Sequence, residues 1–387
     1  MLGKLQRLLA YGKQVTDETG KPLTQQLSEL LDLRFSGNHL GFEEYYRLGI
    51  FNDKHFPPAL KKQYLGWRGS HHLDAVLNDS ASGILADDKI INYSLLNNLG
   101  FPIPKTVATF SRVGRKISDE TLLTNENDLT TFLTTASHYP LFAKPVFGAY
   151  GRGTFALTNY DSSRKAFDNP QSQFLSLGEV TRHATDPFSR GYLFQEKIRQ
   201  HPEVETVVGD TVSCLRIIVV LTSHGPKLRL AFWKIARASN ITDNFSMGAS
   251  GNLLGKIDSV DGTITRVVNG FWPEGSDVLI HPDTKKPLLG MRLPHWQKVI
   301  STCLEAAPQF TGIRVQGWDV ALCEDHPVLV ELNTHADLEV PEFLHHTTFI
   351  DNDVAQALTE AQIRRSEVAR RMRRERFAAL AEVIGNR

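Results

Sequence analysis

Two carboxylates and an amide stand close together in the segment QGWDVALCEDHPVLVELN. With a turn centred on Asp325 and Pro327 just beyond it, the segment reads as a hairpin. One side pairs Trp318 with Leu332, Val320 with Val330 and Leu322 with Val328, and is wholly apolar; the other pairs Gly317 with Asn333, Asp319 with Glu331 and Ala321 with Leu329. Directly opposed carboxylates, with Cβ atoms roughly 5 Å apart, repel unless positive charge lies between them. A divalent cation removes that conflict. Asp319, Glu331 and Asn333 offer hard oxygens suited to magnesium, which keeps some of its waters and takes phosphate oxygens for the rest. The spacing leaves a second reading open, a sheet edge whose two carboxylates meet ordinary lysines and arginines.

A second group lies in AKPVFGAYGRGTFAL, where Lys144 ends an apolar run and Gly148, Gly151, Gly153 and Thr154 follow. Glycines let backbone amides close around phosphate oxygens, and a nearby lysine adds a point charge. The functional reading is a lid-like hairpin over phosphates; a plain glycine-rich turn fits equally. Neither GxxxxGK[ST] nor GxGxxG is present. The third group is YLFQEKI opening into IRQHPEVE. Adenine needs a backbone donor and acceptor at a strand end, and ribose needs an acceptor for its hydroxyls. Gln195, Glu196, Lys197 and Ile198 occupy the first place and Glu203 the second, although the same residues suit an ordinary strand end.

These groups need elements to hold them. Residues 1 to about 80 read as helices and loops rich in aromatics, among them Phe35, Tyr45, Phe51, Tyr64 and Trp67, and carry no evident chemistry. Asp88 and Lys89 open an amphipathic helix ended by Gly100, a second helix covers Asn127 to Thr135, and YPLFAKPV reads as a buried strand. GYLFQEKI, SCLRIIVVLT and LRLAFWKIA read as successive strands of one antiparallel sheet, and a helix from His295 to Ala306 precedes the hairpin. The end of the chain is a basic helix with Arg364, Arg365, Arg370, Arg371, Arg373, Arg374 and Arg376. It suits either an anionic partner or packing on its own subunit or on the second copy of a homodimer.

Composition sets bounds. The 387 residues are 41% hydrophobic and 22% charged, with 43 basic and 43 acidic side chains, so no global field recruits nucleic acid or an anionic membrane. Cys214, Cys303 and Cys323 are widely spaced, which predicts free buried thiols and a reducing, cytoplasmic setting. The first residues lack the continuous apolar stretch of a signal peptide, and no run is long enough to span a membrane.

In this order, the segments resemble the ATP-grasp superfamily of D-alanine-D-alanine ligase, glutathione synthetase and biotin carboxylase. LRIIVV, DNFSMGASG and QGWDVAL resemble its sugar-transfer-associated branch. The resemblance covers roughly residues 85 to 350. It implies an α+β fold in which two α+β subdomains, 81–199 and 200–350, clamp ATP, preceded by the helical region at 1–80 and followed by the basic helix at 351–387. It further implies that Lys89 and Lys144 contact the nucleotide phosphates, that Gly148 to Thr154 cover them, and that Asp319, Glu331 and Asn333 hold Mg2+. Glu196 and the backbone after it would read adenine, and Glu203 has the spacing of a ribose-binding glutamate.

One position departs from the D-alanine ligases, which carry an arginine two residues before the first metal aspartate; here the residue is Gly317. The missing charge is assigned to Arg216, with Arg237 behind it, and Asn244 is a candidate contact to phosphate or substrate. The implied reaction is ATP-dependent ligation of a small-molecule or glycan carboxylate to an amine acceptor, in polysaccharide or secondary-metabolite biosynthesis. Phosphotransfer without ligation and a non-catalytic ATP-binding module remain open. His335, in NTHAD, is a candidate base or a structural hydrogen-bonder.

Overall fold

A computed structural model describes residues 2–35, 40–135, 139–148, 151–168 and 174–385, with side chains described for all of these but 2, 368, 369 and 372–385. The glycine-loop residues 149–150 and the side chains of Arg373, Arg374 and Arg376 therefore lie outside the described part. The N-terminal region consists of α1 (Leu2–Thr19), α2 (Leu23–Phe35), α3 (Phe42–Arg47), α4 (Pro58–Lys61) and α5 (Trp67–Leu77). Its aromatics mostly point inward: Tyr45, Phe51, Phe56 and Tyr64 are buried, whereas Phe35, Phe42 and Trp67 are exposed. The region has no core of its own. Val15, Leu33, Tyr45 and Leu73 share one cluster with Ile218 and Val220 of the main sheet.

Next come α6 (Ile84–Asp87) and α7 (Lys89–Asn98). The Asp88 carboxylate caps α7 by accepting the Ile91 amide at 3.2 Å, and Gly100, at φ +78°, lets the chain turn away after it. The strands β1 (Thr106–Phe110) and β2 (Thr121–Leu123), the helix α8 (Glu126–Thr135), and the strands β3 (Leu141–Pro145) and β4 (Phe155–Leu157) follow. A small antiparallel sheet β5–β7 (Asn159–Asp161, Ala166–Asp168, Leu175–Ser176), α9 (Leu177–Ala184) and β8 (Tyr192–Glu196) complete this half. The five-stranded sheet runs β2-β1-β8-β3-β4. GYLFQEKI thus corrects the expectation of a single sheet: β8 is paired on both edges, by β1 and β3, and has no edge left for the strands that follow it in sequence.

After α10 (Pro202–Val208) the second half is built on β9 (Leu215–Thr222), β10 (Gly225–Ile235), β11 (Leu253–Ile257), β12 (Ile264–Val268), β13 (Val315–Leu322) and β14 (Pro327–Asn333), ordered β12-β11-β10-β9-β13-β14 and antiparallel throughout. The helix α11 (Trp296–Ala306) lies between β12 and β13, and α12 (Glu339–His345) and α13 (Asn352–Gly385) follow β14. Residues alternate between the two faces of the sheet. Ile217, Val219, Trp233 and Trp318 pack toward α11, while Ile218, Val220 and Phe232 pack toward the N-terminal region. That second face changes character at one end. Arg216, Lys234 and Asp319 continue it there, so a buried apolar layer gives way to a charged floor.

Candidate nucleotide and metal site

The floor rests on strand register. Asp319 of β13 lies beside Arg216 of β9 on one side and Glu331 of β14 on the other. The Arg216 guanidinium grips the Asp319 carboxylate through Nε at 2.6 Å and Nη2 at 3.2 Å, and Lys234 Nζ donates to the same carboxylate at 3.1 Å and to Asp243 at 3.1 Å. Asn333 Nδ2 donates to Asp319 Oδ2 at 3.3 Å. Burial opposes ionisation of Asp319, but the adjoining Arg216 and Lys234 charges outweigh it and hold the carboxyl at about 2. Lys234 stays charged for the converse reason: burial works against it, and Asp243 and Asp319 more than compensate.

The hairpin pairs Gly317 with Asn333, Trp318 with Leu332 and Asp319 with Glu331 as expected, then slips by one. Val320 pairs with Leu329, Ala321 with Val328 and Leu322 with Pro327, because β14 accommodates an extra residue at Val330. The outer pairs read from the sequence are therefore corrected, and the metal-side pair is not. Val330 instead borders the cavity, and its carbonyl accepts the Tyr93 hydroxyl at 2.5 Å.

Above this floor a cavity of about 480 Å³ separates the halves of the chain. Lys144, next to last in β3, is buried against it, with Nζ donating to Tyr93 Oη at 2.8 Å. Desolvation lowers the Lys144 pKa, partly offset by the Glu331 carboxylate. Lys89, the first residue of α7, reaches Glu331 Oε1 at 3.0 Å and the Gly148 carbonyl at 3.2 Å. Gly148, Gly151 and Thr154 line the cavity, whereas Gly153 does not and gives its carbonyl to Tyr192 Oη. Glycine is required at 151, where φ is +69° and a Cβ would fall 2.9 Å from Asn244 Nδ2. Asn244 borders the cavity as expected, in a loop pinned by buried Asn252, whose Nδ2 donates to the Thr242 and Asn244 carbonyls at 3.0 and 2.8 Å.

At the other end Gln195, Glu196, Lys197 and Ile198 line an opening with Pro104, Leu141, Phe142, Val212 and Ile241, an apolar slot with a strand end at its rim. The half-exposed Glu196 carboxylate pairs with Lys105 at 2.6 Å at this rim. Two expected residues lie elsewhere. Glu203 is exposed on the first turn of α10, a helix that starts at Pro202 and carries it away from the cavity. Asp210, paired with Lys197, lines the wall instead. Arg237 is also outside, its guanidinium held by Asp283 through two hydrogen bonds of 2.8 Å.

The donor set suits magnesium: two opposed carboxylates and an amide oxygen, with room beside them for phosphate oxygens and water. Among the described residues, no three His, Cys, Asp or Glu side chains converge as a closed metal cage, and Lys89, Arg216 and Lys234 neutralise the two carboxylates. Reasoning from the sequence missed Lys234, Asp243, Asp87, Asp337 and Tyr93. A lysine inside LRLAFWKIA, on the face shared with Phe232, was a readable signal, since a lysine is rarely fully buried without a partner.

Residues 68–352 match the sugar-transfer-associated ATP-grasp family. Among curated proteins, the alpha-aminoadipate–LysW ligase LysX of Sulfurisphaera tokodaii is 31% identical over 124 residues, which are 32% of this chain and 34% of that protein. The chain thus matches about a third of that relative's length. Among solved structures, D-alanyl-alanine synthetase A from Vibrio cholerae is 10% identical with a TM-score of 0.43, covering 74% of this chain and 68% of its own. The ATP-grasp ligase PsnB complexed with a minimal precursor is 15% identical with a TM-score of 0.36, covering 74% and 63%. No helix among the described residues is long and apolar enough to cross a membrane.

Proposed function

The chain belongs to the sugar-transfer-associated ATP-grasp family, and on that premise we propose that it is an ATP- and Mg2+-dependent ligase, activating a carboxylate as an acyl phosphate for attack by an amine. One observation carries the reading: Lys89, Lys144, Arg216 and Lys234 gather around the opposed pair Asp319–Glu331 in a single cavity. A nucleotide triphosphate with its metal supplies the charges that such a set would hold. Residues 81–199 would furnish the lid and the adenine slot, and 200–350 the floor.

The roles follow from position. The backbone around Glu196 to Ile198 and the apolar slot would take the base, with Asp210 near the ribose. Lys89, Lys144 and the amides near Gly148 and Gly151 would hold phosphates, and Asp319, Glu331 and Asn333 would hold Mg2+. Bound there, the metal would neutralise phosphate charge and orient the transferred group. A carboxylate oxygen attacks the γ-phosphorus as the bond to the β–γ bridging oxygen breaks and ADP leaves. The amine, once one proton has left its ammonium form to solvent, bonds through its nitrogen lone pair to the acyl carbon, the carbon–oxygen bond to phosphate breaks with its electron pair going to phosphate, and the nitrogen yields its second surplus proton to solvent. Arg216, held against Asp319, would act electrostatically on the charge that builds on the transferred group. The sugar-transfer association of the family supports a small-molecule or glycan carboxylate, in polysaccharide or secondary-metabolite assembly.

The test is magnesium-dependent release of ADP and phosphate across pooled uronic acids and amino acids, each with and without pooled amines. Turnover that needs both pools and disappears in Glu331→Ala supports the ligase. Turnover with one pool and a stable phosphorylated product would replace it with simple phosphotransfer.

A further inference from the structure

The carboxylates that line the cavity divide into two sets. Glu196, Asp210, Asp243, Asp319 and Glu331 each hold a lysine or arginine. Asp87, at the end of α6, and Asp337, beyond β14, hold none among the described residues, and both line the cavity. They meet around His335, which also lines it: Asp74, Asp87 and Asp337 all act electrostatically on that ring. Asp74 reaches it from α5 of the N-terminal region, with Oδ2 at 3.2 Å from His335 Nδ1. His71, one turn earlier on α5, stacks on the same ring with centroids 5.0 Å apart and planes at 13°.

Asp74 separates this group from an ordinary acidic surface. It is 1% exposed, and its Oδ1 has no hydrogen-bond partner among the described residues. A buried carboxylate oxygen without a donor costs stability, and more so when the group is charged. Glu339, 3% exposed on α12, repeats the feature with an Oε2 that has no partner among the described residues, and its carboxyl interacts with those of Asp337 and Asp74. Asp74, Asp87 and Asp337 thus face one imidazole ring, His335, from three different segments of the chain. Lys89, the nearest cation on α7, is committed to Glu331 and the Gly148 carbonyl. Lys89 acts on Asp87 and Arg216 on Asp337 through space, yet among the described residues neither aspartate is held in an ion pair by them.

We propose that this end of the cavity receives the amine substrate as its ammonium cation, held by Asp87 and Asp337, with Asp74 bracing His335 as one wall of the subsite. The inference rests on the ligase reading and adds to it the site and charge of the acceptor: a free amine recognised in its cationic form, with the N-terminal region, through α5, helping to select it. A neutral amide or alcohol of the same size gains nothing from these carboxylates.

The experiment is calorimetric titration of the full chain, saturated with ADP and Mg2+, with ethanolamine and glucosamine against N-acetylethanolamine and N-acetylglucosamine. At least one amine should bind about tenfold more tightly than its amide, the scale of one charge-assisted contact. That preference should vanish in Asp337→Asn and Asp87→Asn while ADP affinity stays unchanged. If neither amine outbinds its amide, or the preference survives both substitutions, the subsite is wrong although the nucleotide site stands. If the wild-type chain does not bind ADP with Mg2+, the ligase reading falls and this inference falls with it.

Discussion

The Arg216 side chain crosses Gly317 so closely that a Cβ at 317 would lie 3.3 Å from Arg216 Cδ and 3.4 Å from Ala336 Cβ. The glycine opens the path by which a neighbouring strand delivers its guanidinium to Asp319. An arginine absent at 317 and an arginine present at 216 are therefore two parts of one arrangement. Gly317→Ala should displace Arg216 from its two-point grip and lower ADP-forming turnover about tenfold or more, the scale of one misplaced electrostatic contact. The thermal midpoint, measured beside the turnover, should move by only a few degrees.

Lys144 is buried and makes no ion pair among the described residues, its ammonium resting on Tyr93 Oη and feeling Glu331 only through space. Removing an unpaired buried charge relieves desolvation, so Lys144→Met should leave the chain as stable as before or more so. Nucleotide affinity should fall instead, by about ten- to a hundredfold for the loss of one or two charge-assisted hydrogen bonds to phosphate. Thermal melts and ADP titrations on the same preparations check both halves of this expectation.

Asp210 and Glu203 make a paired test of the wall near Lys197. Asp210 lines the cavity and Glu203 does not. Asp210→Asn should weaken ATP binding several-fold, by the order of one hydrogen bond of about 1 kcal/mol, while Glu203→Gln should leave it unchanged. Equal losses in the two would place the nucleotide elsewhere.

Glu339 should make stability pH-dependent. Burial pushes its carboxyl up to about 8, assisted by the nearby Asp337 charge. A group whose folded-state pKa lies above its unfolded value near 4.3 contributes fully below that value, and the contribution is lost as pH rises toward 8. Stability should therefore decline from pH 5 to 8.5. Glu339→Gln, which cannot ionise, should narrow the gap between thermal midpoints at those two values by several degrees. An unchanged gap would mean that Glu339 is already ionised in the folded chain.

Much of the site was readable because its elements carry local signatures. Asp88 before an amphipathic run announced the helix that positions Lys89, and alternation along β13 and β14 placed Asp319 opposite Glu331. What was misread depends on relations that local pattern does not encode. The bulge at Val330 is invisible because valine suits a regular strand equally well, and β8 left its neighbours in sequence because a short apolar strand does not specify its partners. Glu203 had suitable spacing, but α10 turns it outward. Asp74 and His335 are 261 residues apart in the chain, a contact that no single-sequence pattern could announce.

Acyl phosphate formation is tested most directly by following the carboxylate oxygen. The carboxylate selected by the pooled screen is prepared with heavy-oxygen label in both carboxyl positions and turned over with ATP, Mg2+ and its amine, and the released phosphate is weighed by mass spectrometry. Transfer of the γ-phosphate to the carboxylate predicts one labelled oxygen in each phosphate and one remaining in the amide. Unlabelled phosphate alongside amide product would contradict that route and remove the central claim.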